Sequence, residues 1–130
     1  MKTCKIRFGV SLEAKLAEDV ERIAVAMGTN RSHIVNLAVR KFLDETYHFT
    51  VPHECEGIMI ISYEPERSEK IDPEIENRKE GIHSRLHIHT SEGLCIEVLH
   101  VKAHSNDILE FESSMARCGC KACKFIPCHS

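Results

Sequence analysis

The run "LHIHTSEGLC", residues 86–95, decides how the second half of the chain folds. Two histidines separated by one residue face the same way only on a strand, where side chains alternate. Thr90-Ser91-Glu92-Gly93 is a cluster of turn formers. A hairpin is therefore predicted over residues 82–90 and 94–102, with Cys95 returning beside His89. Two imidazoles and a thiol then converge at one end of a sheet, and their softness suits a divalent transition metal. The alternative for the same residues is a polar strand face with an ordinary buried cysteine.

Working outward, "GIMIISY" (residues 57–63) is a buried strand by its apolar run, ended by Pro65. Asp72-Pro73 predicts a helix start, a cap followed by proline, and the helix should end near Gly81. Ser105 or Asn106 caps another helix, with Ile108, Leu109, Phe111 and Met115 apolar. Residues 120–126 form a last strand. The order is β-α-β-β-α-β, with both helices on one sheet face. Leu86 and Ile88 are expected to face those helices. His83, Arg85, His87 and His89 are then expected on the open face, which the same face of another copy would cover.

In the first fifty residues, Cys4, Ile6 and Phe8 alternate with Thr3, Lys5 and Arg7, which predicts a short strand ended by Gly9. Ser11 is the expected cap of a helix carrying Leu12, Leu16, Val20, Ile23 and Met27 on one face, stopped by Gly28. Asn30 caps a second helix with apolar residues on two sides, Ile34, Leu37 and Phe42 against Val35, Val39 and Leu43. One strand and two helices cannot bury that surface alone, so an intertwined homodimer is expected, its two strands paired antiparallel. The paired strands make a ribbon of a width suited to a DNA major groove, presenting Thr3, Lys5 and Arg7. Asn30, Arg31 and Ser32 would hold a phosphate at the second helix's N-terminus. A helical oligomerisation motif with a solvated charged strand is the competing reading.

The 130 residues are 42% hydrophobic and 28% charged, a globular composition sized for one medium domain or two small ones. No stretch is apolar enough for a membrane span and the first residues do not read as a signal peptide, so a cytoplasmic protein is expected. The seven cysteines then read as thiols or metal ligands, not as a disulfide framework. Residues 1–50 carry a net charge of +2 and residues 51–130 a net of −5, a basic head on an acidic body. No nucleophile-base arrangement or phosphate loop suggests an enzyme. "ETYHFTVPHECE" (residues 45–56) breaks the helical period, which predicts domains at 1–46 and 57–130 joined by a linker at 47–56. Its His48, His53 and Cys55 are three donors with no further pattern. In the tail "CGCKACKFIPCHS", Cys118, Cys120, Cys123 and Cys128 could hold a second metal or cluster, form a redox switch, or simply pack.

Residues 2–45, with "GTNRS" (residues 28–32) between the helices, resemble the ribbon-helix-helix DNA-binding family. Together with His87-x-His89-x5-Cys95, "GIMIISYE" and "LCIEV", nearly the whole chain resembles the nickel-responsive regulators, the NikR family. The resemblance implies an α+β protein, a ribbon-helix-helix (βαα) domain followed by a ferredoxin-like, ACT-type domain. It implies that His87, His89 and Cys95 bind Ni(II), that Glu97 supports the site through hydrogen bonds, and that the chain assembles as a homotetramer through its C-terminal domains. It implies a double-stranded operator as partner, and repression of nickel-uptake genes on metal binding. The family's fourth ligand is a histidine of a second subunit, and its place falls here on Glu76. Glu76, His83, or a neighbouring subunit's His100 or His104 are the substitutes, and each would favour a less planar geometry and admit zinc, cobalt or iron. The competing function keeps the DNA-binding head and makes the second domain a sensor of thiol oxidation, an Fe–S cluster or a small ligand.

Overall fold

A computed structural model of the chain describes residues 4–128, with the backbone alone described for residues 47–49. The chain divides near Phe42 into two compact units. In the first, α1 spans Ala14–Ala26 and α2 begins at Arg31 and runs to Thr50. Glu13, not Ser11, precedes α1, and it makes no side-chain cap. Gly28 stops α1 as expected, in a left-handed conformation (φ 65°) that a side chain would strain. The Asn30 side chain accepts from the His33 amide at 2.9 Å and so caps α2.

Residues 4–13 form no strand within the chain. A strand needs a ladder partner, and the described residues of this unit offer none. Among those residues only Ala24 and Ile34 are buried, while Ile6 is 87% and Phe8 82% exposed. The expected linker is also shorter than predicted. Residues 47–50 continue α2, and β1 starts at Glu54.

The second unit runs β1 (Glu54–Tyr63), α3 (Ser68–Glu76), β2 (Ile82–His89), β3 (Cys95–His104), α4 (Ser105–Arg117) and β4 (Ala122–Pro127). The sheet order is β2-β3-β1-β4 with every neighbour antiparallel, which is the split βαβ arrangement. Met59, Ile61 and Tyr63 of β1 and Leu99 and Val101 of β3 meet Ile71 and Ile75 of α3 and Ile108, Phe111 and Met115 of α4 in the core.

Both helices of this unit differ from expectation at their boundaries. Helix α3 starts at Ser68, ends at Glu76, and holds Pro73 inside it. Ile71 and Ile75, one helical turn apart, are both buried, and that packing outweighs the amide hydrogen bond proline cannot make. Helix α4 is capped by His104, whose Nδ1 accepts from the Asn106 amide at 3.1 Å.

From Arg85 to His89 the faces of β2 are the reverse of the sequence expectation, while a bulge leaves the His83 ring beside His100 on the open face as expected. Directly opposed residues of an antiparallel pair share a face, and Arg85, His87 and His89 stand opposite Leu99, Glu97 and Cys95. All six are therefore on the helix side. Leu86 and Ile88 stand opposite Val98 and Ile96 on the open face, where Ile60 and Ile126 also lie partly exposed. The apolar residues of an edge strand were expected inward, but pairing with β3 sets the parity. The open face consequently carries an apolar patch, flanked by His100, Glu56 and Lys124. Among the described residues, no helix is long and apolar enough to cross a membrane.

Candidate metal centre

The turn between β2 and β3 closes through Thr90. Its amide donates to the Leu94 carbonyl at 2.9 Å, and its hydroxyl accepts from the Leu94 amide at 3.0 Å. Gly93 supplies the left-handed residue at φ 88°. This closure fixes the register that sets His89 beside Cys95 and His87 beside Glu97. One donor atom from each of His87, His89 and Cys95 lies within 4.8 Å of the other two. The two imidazole centroids are 4.6 Å apart, and the Cys95 Sγ stands 3.8 Å from the His89 Nδ1.

Behind the donors is a buried carboxylate. Glu97 is fully buried and receives four hydrogen bonds from three residues. Tyr63 Oη donates to it at 2.8 Å, Arg85 at 2.9 and 3.0 Å, and His87 Nδ1 at 2.6 Å. Burial raises the Glu97 carboxyl, but the hydrogen bonds from Arg85, Tyr63 and His87 outweigh it and hold the group below the ordinary carboxylate range. An ionised carboxylate only accepts, so the His87 Nδ1 carries the proton and its Nε2 lone pair is left for an ion. Burial and then Glu97 raise the Tyr63 phenol, which keeps it a donor. Burial also raises the Cys95 thiol, with Glu97, Asp72 and Glu66 adding to it. An ion that binds the thiolate must therefore displace a proton. Two imidazoles and one thiol at this spacing fit a borderline divalent transition ion, with Glu97 orienting His87.

The other residues considered as ligands lie elsewhere. Glu76, at the end of α3, pairs with Arg85 at 3.2 Å. A bulge in β2 sets the His83 ring beside His100, centroids 5.4 Å apart, and His100 meets Glu56 at 2.6 Å. Cys120 lies close enough to Cys118 and to Cys123 for charge on one to act on the next, while the other tail sulfurs contact separate groups. Cys118 donates to the Lys70 carbonyl, Cys128 to the Ile126 carbonyl, and Cys123 stands 3.3 Å from the Met59 sulfur. Among the described residues, only His87, His89 and Cys95 bring three such donors together.

Lys5 and Arg7 lie in the unpaired segment, and both are exposed. Arg31 faces Glu21 at 3.4 Å, and the Ser32 carbonyl accepts from the Asn36 side chain. Thr3 lies outside the described residues. Sequence reasoning missed Tyr63 and the bonds of Arg85. Arg85 shares parity with His87, which was a usable signal. Tyr63 stands opposite Cys95, a register invisible before folding.

No family model matches the chain. Several curated relatives do, and they are provisionally named nickel-responsive regulators. One from Saccharolobus islandicus is 30% identical over 113 residues, 85% of this chain and 84% of the relative. One from Saccharolobus solfataricus is 28% identical over 113 residues, with the same coverage. One from Pyrococcus furiosus is 29% identical over 107 residues, 79% of this chain and 78% of the relative. Among solved structures, the uncharacterized protein TM1266 from Thermotoga maritima superposes with a TM-score of 0.55 at 18% identity, over 59% of this chain and all of its own; it bears on the fold alone. With a relative this similar along most of both sequences, and the two imidazoles and the thiol brought together, the chain belongs to the nickel-responsive regulator family.

Proposed function

We propose that the chain is a metal-responsive transcription regulator, a repressor of metal-uptake genes whose operator affinity is set by a divalent ion at His87, His89 and Cys95. Nickel is the favoured ion, in keeping with the names of the relatives. The observation that carries the reading is the convergence of the three donors in front of Glu97.

In this reading residues 1–46 are a ribbon-helix-helix domain and residues 57–130 an ACT-like regulatory domain. The apolar surface left exposed in the first unit supports a partner there, since Ile6, Phe8 and Val39 are largely exposed in one chain. A second copy pairs its N-terminal strand antiparallel with the first. The ribbon turns Thr3, Lys5 and Arg7 to base edges, and Asn30, Arg31 and Ser32 hold the backbone. The apolar patch on the open face of the sheet supports a further contact between copies, giving a homotetramer. The metal shifts operator affinity only if it binds the DNA-competent arrangement more tightly than the other.

The test begins by selecting duplexes from a random pool with Ni(II)-loaded full-length protein, then measures anisotropy of the selected duplex. Binding is expected with Ni(II) and is lost on chelation. Arg7→Ala weakens DNA binding and leaves metal stoichiometry unchanged. DNA affinity indifferent to metal, or loss of both properties together in Arg7→Ala, contradicts the proposal.

A further inference from the structure

One guanidinium on the metal side of β2 serves three carboxylates. Arg85 precedes His87 by two residues and shares its sheet face. Its Nε donates to Glu97 Oε1 at 2.9 Å and a terminal nitrogen to Glu97 Oε2 at 3.0 Å, a fork on a buried carboxylate. The same terminal nitrogen donates to Asp72 Oδ1 at 2.7 Å, and the other reaches Glu76 Oε1 at 3.2 Å. Asp72 and Glu76 both belong to α3.

The two ends of this network differ in wetness. The Glu97 side chain is fully buried, whereas those of Asp72 and Glu76 are 51% and 66% exposed. An isolated exposed ion pair contributes little, because two long side chains must be ordered to form it. Here the fork on Glu97 has already ordered the cation, so the α3 carboxylates meet a fixed partner. The nitrogen that holds Asp72 also holds Glu97 Oε2, the same oxygen that accepts from the His87 Nδ1 at 2.6 Å, so Asp72 stands next to the centre. An oxygen donor for an ion held by His87, His89 and Cys95 is therefore at hand, and Arg85 occupies it.

We propose that Arg85 sets the ion preference of the centre by holding Asp72 and Glu76 away from the metal, so that the chain offers two nitrogens and one sulfur with no carboxylate. Such a set favours borderline and soft ions and refuses those that need oxygen, such as Mn(II). The inference rests on the metal-binding reading above and adds to it the residue that excludes competitors.

The experiment titrates the full-length chain with Co(II), read by its absorption bands, and with Mn(II), read by the EPR signal of the free ion. Asp72→Asn and Glu76→Gln, each alone, are expected to leave the Co(II) spectrum as in the native chain. Arg85→Gln frees the carboxylates, moves the Co(II) bands and tightens Mn(II) binding on the order of 10–100-fold, the scale of changes around a metal ligand. Removing both carboxylates in the Arg85→Gln background returns the spectrum and the Mn(II) affinity to the native values. That reversal separates an excluding role from mere structural support. Arg85→Lys keeps a cation for Glu97 but loses the fork, so it gains Mn(II) affinity in the same direction even where the Gln variant folds poorly. Mn(II) affinity equal in all Arg85 variants, or a Co(II) spectrum moved by Asp72→Asn or Glu76→Gln alone, overturns the inference. A native chain that takes up no Co(II) overturns the metal-binding reading itself, and this one with it.

Discussion

Glu97→Gln is the most informative single substitution. It preserves the volume of a fully buried side chain and removes one charge. In the native chain that charge receives two bonds from Arg85 and one each from His87 and Tyr63. The amide turns one acceptor into a donor and points it at donors. Removing one partner of a buried ion pair costs roughly 3–5 kcal/mol. Arg85 remains paired with Asp72 and its side chain is 27% exposed, so the cost should fall to about 2–4 kcal/mol. The assay is urea unfolding of the metal-free protein at neutral pH, at matched concentrations because assembly is linked to stability.

The pH dependence gives the sign of the same effect. The folded-state Glu97 carboxyl titrates below its unfolded value of about 4.3. Its stabilisation is therefore complete above that value and is lost as pH falls through the lower, folded-state one. The gap between native and Glu97→Gln chains should narrow in that acidic window. A gap under about 0.5 kcal/mol at neutral pH, the size of an ordinary surface change, would refute the account of Glu97 as the hub. So would a gap that widens on acidification.

Tyr63→Phe removes one hydrogen bond to a buried charge and should destabilise the chain by about 1.5–3 kcal/mol, measured by the same unfolding experiment. Metal affinity should fall as pH is lowered, because an ion must displace the proton of a Cys95 thiol already held up by burial. Chelator competition across pH checks this, with about a tenfold loss per unit for one proton released. Cys123 is pushed from 9.0 up to about 12 by burial, so alkylation mapped by mass spectrometry should find it among the last thiols modified and exposed Cys128 among the first.

Much of the second unit was legible in the sequence because its elements have distinct periods. The apolar run in β1, the turn at 90–93 and the apolar face of α4 each carry a local signal, and their order follows. The three donors were legible for the same reason, since period two and one turn bring them together. The face assignment failed because β2 is an edge strand, where both faces are exposed and apolar parity does not report the core. Register with β3 decides it instead. The Arg85 network was hidden for a further reason. It joins residues 13 apart and 9 apart through the placement of α3, and α3 itself begins five residues before the proline that seemed to open it. The segment before Gly9 has a clear alternation, but the described residues offer it no ladder partner, so its pattern alone cannot make it a strand.

The most direct measurement is Ni(II) titration of the full-length chain, followed by absorption in the thiolate-to-metal charge-transfer region. The account predicts one ion per chain with an intense sulfur band, the band absent in Cys95→Ser and retained in Cys118→Ser. A native chain that binds nickel without that band, or a band that survives Cys95→Ser, would contradict it.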